Sequence, residues 1–282
     1  VIPSGSLWPR GTSRQTRAGL AMGLVLLAVP LLVALFGPVL GPWLSAQNAV
    51  RNPAFTTEIG VWGTDFVGRD VLGQVLVGGV SVVVVAVLAT VVTYLVGVPL
   101  ALVAATTARR AVDEVIMRPL DVVIAMPSLL VLLLLASVVP GSVVVISLVV
   151  ALINLPDVVR ICRASALSVA ARPAVEAMRL QGEGWWRIAV GYVGRSILRV
   201  VTTDAGTRLT GALYLVASAS FLGVGLAADD SNWAVMVDGN RGGIFVNPAA
   251  TVIPALLIIA LSVGTNLTSD QLLARRAARS PS

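Results

Sequence analysis

Apolar residues in this chain do not alternate with charges; they gather in long blocks. Six are visible, at Leu20–Leu44, Val80–Thr107, Val115–Val139, Ser142–Val159, Leu209–Leu226 and Ala249–Leu273. Each approaches the ~20 residues a helix needs to cross a hydrocarbon core, and the fourth and fifth are the shortest. The pattern predicts an all-α, polytopic membrane protein with about six transmembrane helices. The first block exceeds the ~7–15 apolar residues of a secretory signal and no small-residue cleavage site follows it, so it is expected to persist as a helix.

Composition strengthens that reading. The chain is 57% hydrophobic and 12% charged, with a mean hydropathy of +0.92, whereas soluble domains are roughly a quarter charged. All 20 basic residues are arginines, and they are unevenly placed. Arg10, Arg14 and Arg17 precede the first block; Arg109, Arg110 and Arg118 lie around the second connection. Arg160, Arg163, Arg172, Arg179, Arg187, Arg195, Arg199 and Arg208 fill the fourth, and Arg275, Arg276 and Arg279 end the chain; Arg51, Arg69 and Arg241 stand apart. Basic residues in short loops are retained on the cytoplasmic side, so both termini are expected to be cytoplasmic. The expected organisation is a cytoplasmic segment at 1–19, a first transmembrane helix at 20–44, an extracytoplasmic segment at 45–79, a membrane core at 80–273 and a cytoplasmic tail at 274–282. Cysteines at Ala108 and Ala278 should then be shielded from an external reagent, and one at Asn240 labelled. The net charge of +6 does not point to nucleic acid, because the arginines flank apolar spans without interleaved aromatics.

Absent residue types narrow the chemistry. With no His and a single Cys, neither a His/Cys metal site nor a Ser-His-Asp triad is available. With no Lys, the phosphate-binding loop whose lysine reaches nucleotide phosphates cannot form. ATP, if it powers this protein, is bound by another chain. Cys162 reads as a small packing residue.

Two hydrophilic regions are longer than a turn requires. In the external one, Gly63-Thr64-Asp65 and Gly68-Arg69-Asp70-Val71-Leu72 read as an ordered loop leading into a short helix before the second span, with a cap at Thr64 or Asp65. In the internal one, Pro173 to Gln181 reads as a helix with Pro at its first position and Gly182 just past its end. At ~1.5 Å per residue that helix is about 14 Å long, too short to span lipid or to persist alone. Glu176 in its first turn complements the helix dipole, and Ala174 and Ala177 share a face that permits close approach. Trp185, Trp186 and Ile188 beside Arg187 suit a membrane face. Residue pattern alone allows an interfacial connector or a docking element.

The wider pattern resembles the permeases of ABC importers. Glu176-Ala177, Gly182 and Trp186-Arg187-Ile188 are similar to the family's cytoplasmic E-A-A-x-x-x-G loop. From about Trp62 to Arg275, ordered segments resemble the second permease of dipeptide/oligopeptide importers in particular. Gly63 to Leu72 resembles G-T-D-x-x-G-R-D-V-L. Met117-Arg118, Asp121 and Pro127 resemble M-R-x-x-D and a following helix-breaking proline; Arg160, Arg163, Leu167 and Ser168 resemble the basic approach to the loop. Phe221-Leu222-Gly223-Val224-Gly225 with Trp233 and Met236 resembles F-L-G-x-G and W-x-x-M, and Asn266-Leu267, Asp270 and Leu272 resemble the closing N-L-x-x-D-x-L. Met178, Gly194 and Arg195 depart from the signature, as do Ser269, Leu273 and Ala274.

The resemblance implies a type I ABC-importer permease fold in a bacterial cytoplasmic membrane. It implies a second homologous permease, two ATPase subunits that hold ATP and Mg, an extracytoplasmic substrate-binding protein, and no cofactor or catalytic residue in this chain. It casts 173–181 as the coupling helix, with Pro173, Ala174, Glu176, Ala177, Arg179, Gly182, Trp186 and Arg187 as ATPase-coupling residues. Asp65, Arg69 and Asp70 become candidates for extracytoplasmic contact or for covering the outer mouth. Relatives carry peptides, and some carry nickel, glutathione or haem. Within the spans, Arg118 and Asp121 are expected to pair on one helix face. Asn154 and Asp157 flank Pro156, where polar side chains can satisfy a carbonyl the proline frees. Pro30, Pro99, Pro127 and Pro254 are expected to kink their helices.

Overall fold

The computed structural model describes residues 13–44, 52–107, 109–138, 142–222 and 231–279. Gly223-Val224-Gly225, Ala108 and Arg51 lie outside them. The described chain is helical: α1 (Ser13–Leu44), α2 (Val71–Thr106), α3 (Arg110–Ala125), α4 (Ser128–Val138), α5 (Val143–Ala170), α6 (Pro173–Leu180), α7 (Arg195–Phe221), α8 (Trp233–Asn240) and α9 (Ala249–Arg279). A π-helical segment, Arg187–Gly194, leads directly into α7. Blocks this apolar form helices because lipid offers no partner for backbone N–H and C=O groups, which must be satisfied within the segment.

Four helical stretches, 19–44, 71–106, 143–170 and 249–271, are long and apolar enough to cross a membrane, and the pair 110–125 with 128–135 makes a fifth if counted as one bent span. The sequence pattern predicts about six. The difference lies in the block Leu209–Leu226, whose residues 223–226 are outside the described ones and whose helix α7 carries Arg195, Arg199, Asp204 and Arg208 in its first half.

Two boundaries are corrected. The block Val115–Val139 is two helices bent by 92°, because Pro127 offers no N–H to continue α3 and disfavours the helical conformation of Met126. Met126 is accordingly extended, at φ −89° and ψ 137°. The prolines at 30, 99 and 254, by contrast, lie inside α1, α2 and α9. The segment 45–79 is not wholly a loop with its own short helix, since α2 begins at Val71 and runs on without a break. Its cap is Asp70, whose carboxylate accepts from the Gly73 N–H at 3.2 Å, rather than Thr64 or Asp65.

Helix α2 packs along α5, and α1 lies against α9 and α2. Two buried clusters result. One, around Val82, Val85, Leu132, Ile146, Val216 and Trp233, fills the half of the bundle that carries α8. The other, around Leu102, Val159, Cys162, Val175, Ile188 and Ile197, fills the half that carries α6. The outer faces of α1, including Val25, Leu35 and Val39, remain apolar and exposed, as lipid or a partner helix requires.

Asn240 is fully buried, so a cysteine there would not report sidedness. Phe245 is 99% exposed. We expect Phe245→Cys in whole cells to react with an impermeant maleimide and Ala174→Cys, on exposed α6, to react only after permeabilisation. The opposite pattern would invert the orientation.

Candidate functional site

At one end, α6 is set by local chemistry. Pro173 opens it, Glu176 lies in its first turn and Arg179 in its last, each placed to oppose the helix dipole. It closes with paired bonds, Glu183 N–H to Met178 O and Gly182 N–H to Arg179 O, both 3.0 Å. Such a closure needs a left-handed residue, and Gly182 supplies it at φ 78°. No neighbouring atom crowds that glycine, so backbone conformation alone demands it.

One face of α6 is anchored and the other is open. Val175 is buried, and Met178 packs against the same cluster. Pro173, Ala174, Glu176, Ala177, Arg179, Gly182, Trp186 and Arg187 are all exposed. Leu180 is exposed too, an apolar side chain on the outward side that sequence reasoning passed over. Met178, the departure from the signature, therefore points into the protein. Gly194 and Arg195, the other departure, are helical, and the Arg195 N–H bonds Tyr192 O, a bond that a proline at that position could not make. Trp185 donates from Nε1 to Thr106 Oγ1 at 3.0 Å, and Trp186 stacks edge-on against it. Arg187 pairs with Glu183.

The basic approach to α6 is spent on fixing helices. Arg163 grips Asp113 of α3 through two 2.6 Å bonds. Arg160 binds Asp121, and Arg118 turns to Glu114 at 3.0 Å. The expected Arg118–Asp121 pair is thus replaced, because α5 packs beside α3 and brings a better-placed guanidinium to Asp121.

At the opposite end, the segment 52–70 is a folded cap. Asp65 is buried; its Oδ1 accepts from the Val67 and Arg69 N–H groups at 2.9 and 2.8 Å, and its Oδ2 from Arg69 Nε at 2.8 Å. Asp70 is buried as the α2 cap. A partner meeting this surface would touch Val61, Phe66 and Val67, which are exposed, rather than either carboxylate. Gly68, at φ 88°, sits so close to the Asn52 carbonyl that a Cβ would overlap it. Asn247 donates to Trp62 O and Thr64 O, and Asn240 accepts from Phe66 N–H, tying the cap to the α8 region. Trp233, fully buried, donates to Val75 O at 2.7 Å.

Between the two ends lies a network whose partners are too far apart in sequence to be foreseen. Tyr94 of α2 donates to Asp204 Oδ2 of α7 at 2.8 Å. Arg208, one turn along, contacts both Asp204 oxygens at 3.2–3.3 Å and Asp157 Oδ2 of α5 at 2.7 Å. Asn154 does not serve the carbonyl freed by Pro156; its Nδ2 bonds Val150 O, one turn back on α5.

Residues 97–278 match the family described as the binding-protein-dependent transport system inner membrane component. The chain is 28% identical over 248 residues to the "Probable D,D-dipeptide transport system permease protein DdpC" of Escherichia coli, covering 86% of this chain and 83% of that one. It is 26% identical to the di/tripeptide transport system permease protein DppC of Pseudomonas aeruginosa (89% and 84% covered). It is also 26% identical to the oligopeptide transport system permease protein OppC of Bacillus subtilis (95% and 88%).

Proposed function

This chain belongs to the family of binding-protein-dependent transport system inner membrane components, and on that premise we propose that it is the membrane-spanning subunit of an ATP-driven importer of di- and oligopeptides. It pairs with a second, homologous permease to enclose the translocation path in a bacterial inner membrane. Two ATPase subunits bind ATP and Mg beneath it, and a soluble binding protein delivers substrate outside. The peptide class is supported by the named relatives, which serve dipeptide, tripeptide and oligopeptide systems.

The observation that carries the coupling role is α6: a short helix held by Val175 and Met178, with Ala174, Glu176, Ala177 and Leu180 turned outward. A rod fixed on one side and free on the other can pass a push from a docked ATPase to α5 and α7 as a rigid body. The lack of any lysine for a phosphate loop supports a push that originates in another subunit.

The test is ATP-driven uptake of a labelled tripeptide by the four-subunit complex in proteoliposomes with its binding protein. Gly182→Val forces a β-branched residue to positive φ, and Glu176→Ala removes the first-turn carboxylate. Both variants should insert normally yet lose uptake by about tenfold or more, equivalent to about 1.4 kcal/mol of docking. Wild-type uptake in both would remove α6 from coupling. Peptide flux through the isolated chain without ATPases would instead identify a secondary transporter or channel.

A further inference from the structure

Asp157 lies on α5 three residues before Arg160, at the end of the fourth apolar block, and its side chain is 52% exposed. A carboxylate at the end of an apolar span is costly to turn towards lipid and belongs in an aqueous cavity or against a partner charge. A cavity is present. About 360 Å³ in volume, it is lined by Asp157, Asn154, Ser128 and Tyr214 together with apolar side chains such as Val123 and Ile153. That is the lower end of the range for small-ligand sites. The cavity lies at the right-angled α3–α4 break, with Val123 and Ile124 on one side of it and Ser128 and Val131 on the other.

Charge gives the cavity a sign. Arg208 is the cation of the network, and Asp204 and Asp157 both face it. Asp204 is mostly buried and also accepts from Tyr94, whereas Asp157 takes the shorter Arg208 bond yet stays half exposed. One negative charge is therefore in excess, and it is displayed at Asp157, whose Oδ2 alone is held by Arg208. No arginine lines the cavity among the described residues. A half-solvated carboxylate with apolar walls on one side and hydrogen-bonding groups on the other suits a small organic ammonium.

Resting on the reading of the chain as a peptide permease, we propose that Asp157 receives the α-ammonium of the incoming peptide within this cavity, making the membrane subunit itself selective for a free amino terminus. Asn154 and Tyr214, which line the same cavity, would meet the first peptide unit, and the apolar wall would take the first side chain.

The experiment is calorimetric titration of the complete transporter in nanodiscs, without binding protein or ATP, using trialanine and N-acetyl-trialanine. Wild type should bind trialanine about three- to fivefold more tightly, the order expected for a partly solvated ion pair. Asp157→Asn, which can still accept from Arg208, should erase that preference, and Asp157→Glu should retain most of it. A residue that merely braced Arg208 would alter assembly but not the ratio between the two peptides. Equal affinities in wild type, no binding of either peptide, or an unchanged ratio in Asp157→Asn would each overturn the assignment. Should Asp157→Asn fail to assemble, the wild-type ratio and the Asp157→Glu complex decide. Uptake assays keep the two readings apart: a wild-type complex that imports no peptide with ATP and binding protein overturns the functional reading, whereas import alongside an unchanged ratio overturns this assignment alone.

Discussion

Replacing Arg208 with leucine is expected to destabilise the bundle by about 3–5 kcal/mol, the usual consequence of stripping the partner from a buried charge. Its guanidinium side chain is 17% exposed and that of Asp204 11% exposed, so water cannot take over the solvation that Arg208 provides. The loss should be read as a lowered unfolding midpoint of the detergent-purified protein. Much of it should return when Asp204→Asn is added, because the amide still accepts from Tyr94 and no longer needs a cation. Arg208→Lys should fall between, since a single ammonium cannot fork to Asp204 and Asp157 together. An unchanged midpoint in Arg208→Leu would mean that the contacts joining α2, α5 and α7 carry no net stabilisation.

The second large effect is expected at Trp233. Truncation to alanine empties a fully buried site and should cost about 3–5 kcal/mol, the range for large aromatic-to-alanine changes. The damage should be local. Trp233 covers Gly79 so closely that a Cβ there would enter the indole ring, and α8 in turn holds Asn240, which the cap at 52–70 uses. Hydrogen exchange should therefore accelerate in α8 and around Phe66 while α6 keeps its protection. Gly79→Val should produce the same pattern from the other side, by pushing the indole out. Trp233→Phe should do less, since the ring volume is mostly kept and the lost indole bond is worth about 1 kcal/mol. Uniform acceleration across the molecule would show that α8 does not behave as a separate unit.

Legibility of the fold depended on how local each signal is. α6 was readable because its capping is written within ten residues: Pro173 at the start, Gly182 at the end and a carboxylate in the first turn. The break at Pro127 was readable as a disturbance but not as a right angle, since proline removes one bond without stating where the next helix goes. A short helix after Gly68-Arg69-Asp70 was legible, but not that it is the first turns of α2, continuous with the apolar block from Val80, nor that Asp70 caps it. The external carboxylates look like a recognition surface in sequence because Asp65 and Asp70 are charged. Folded, they accept backbone N–H bonds inside the cap, the most economical use of a buried carboxylate.

What the sequence determined by itself is the solvent and the local elements: long lysine-free apolar blocks that must be helices in lipid, and a short capped helix outside them. Only the tertiary structure decided the pairings. Arg118 could have met Asp121 on its own helix, yet α5 brings Arg160 to that carboxylate, and Arg208 finds Asp157 across 51 residues and Tyr94 finds Asp204 across 110. The reason is geometric. Capping and i,i+4 pairs follow from the helix repeat, which is the same everywhere, whereas contacts between helices depend on which faces pack, and that is settled only when all the apolar faces compete for one another.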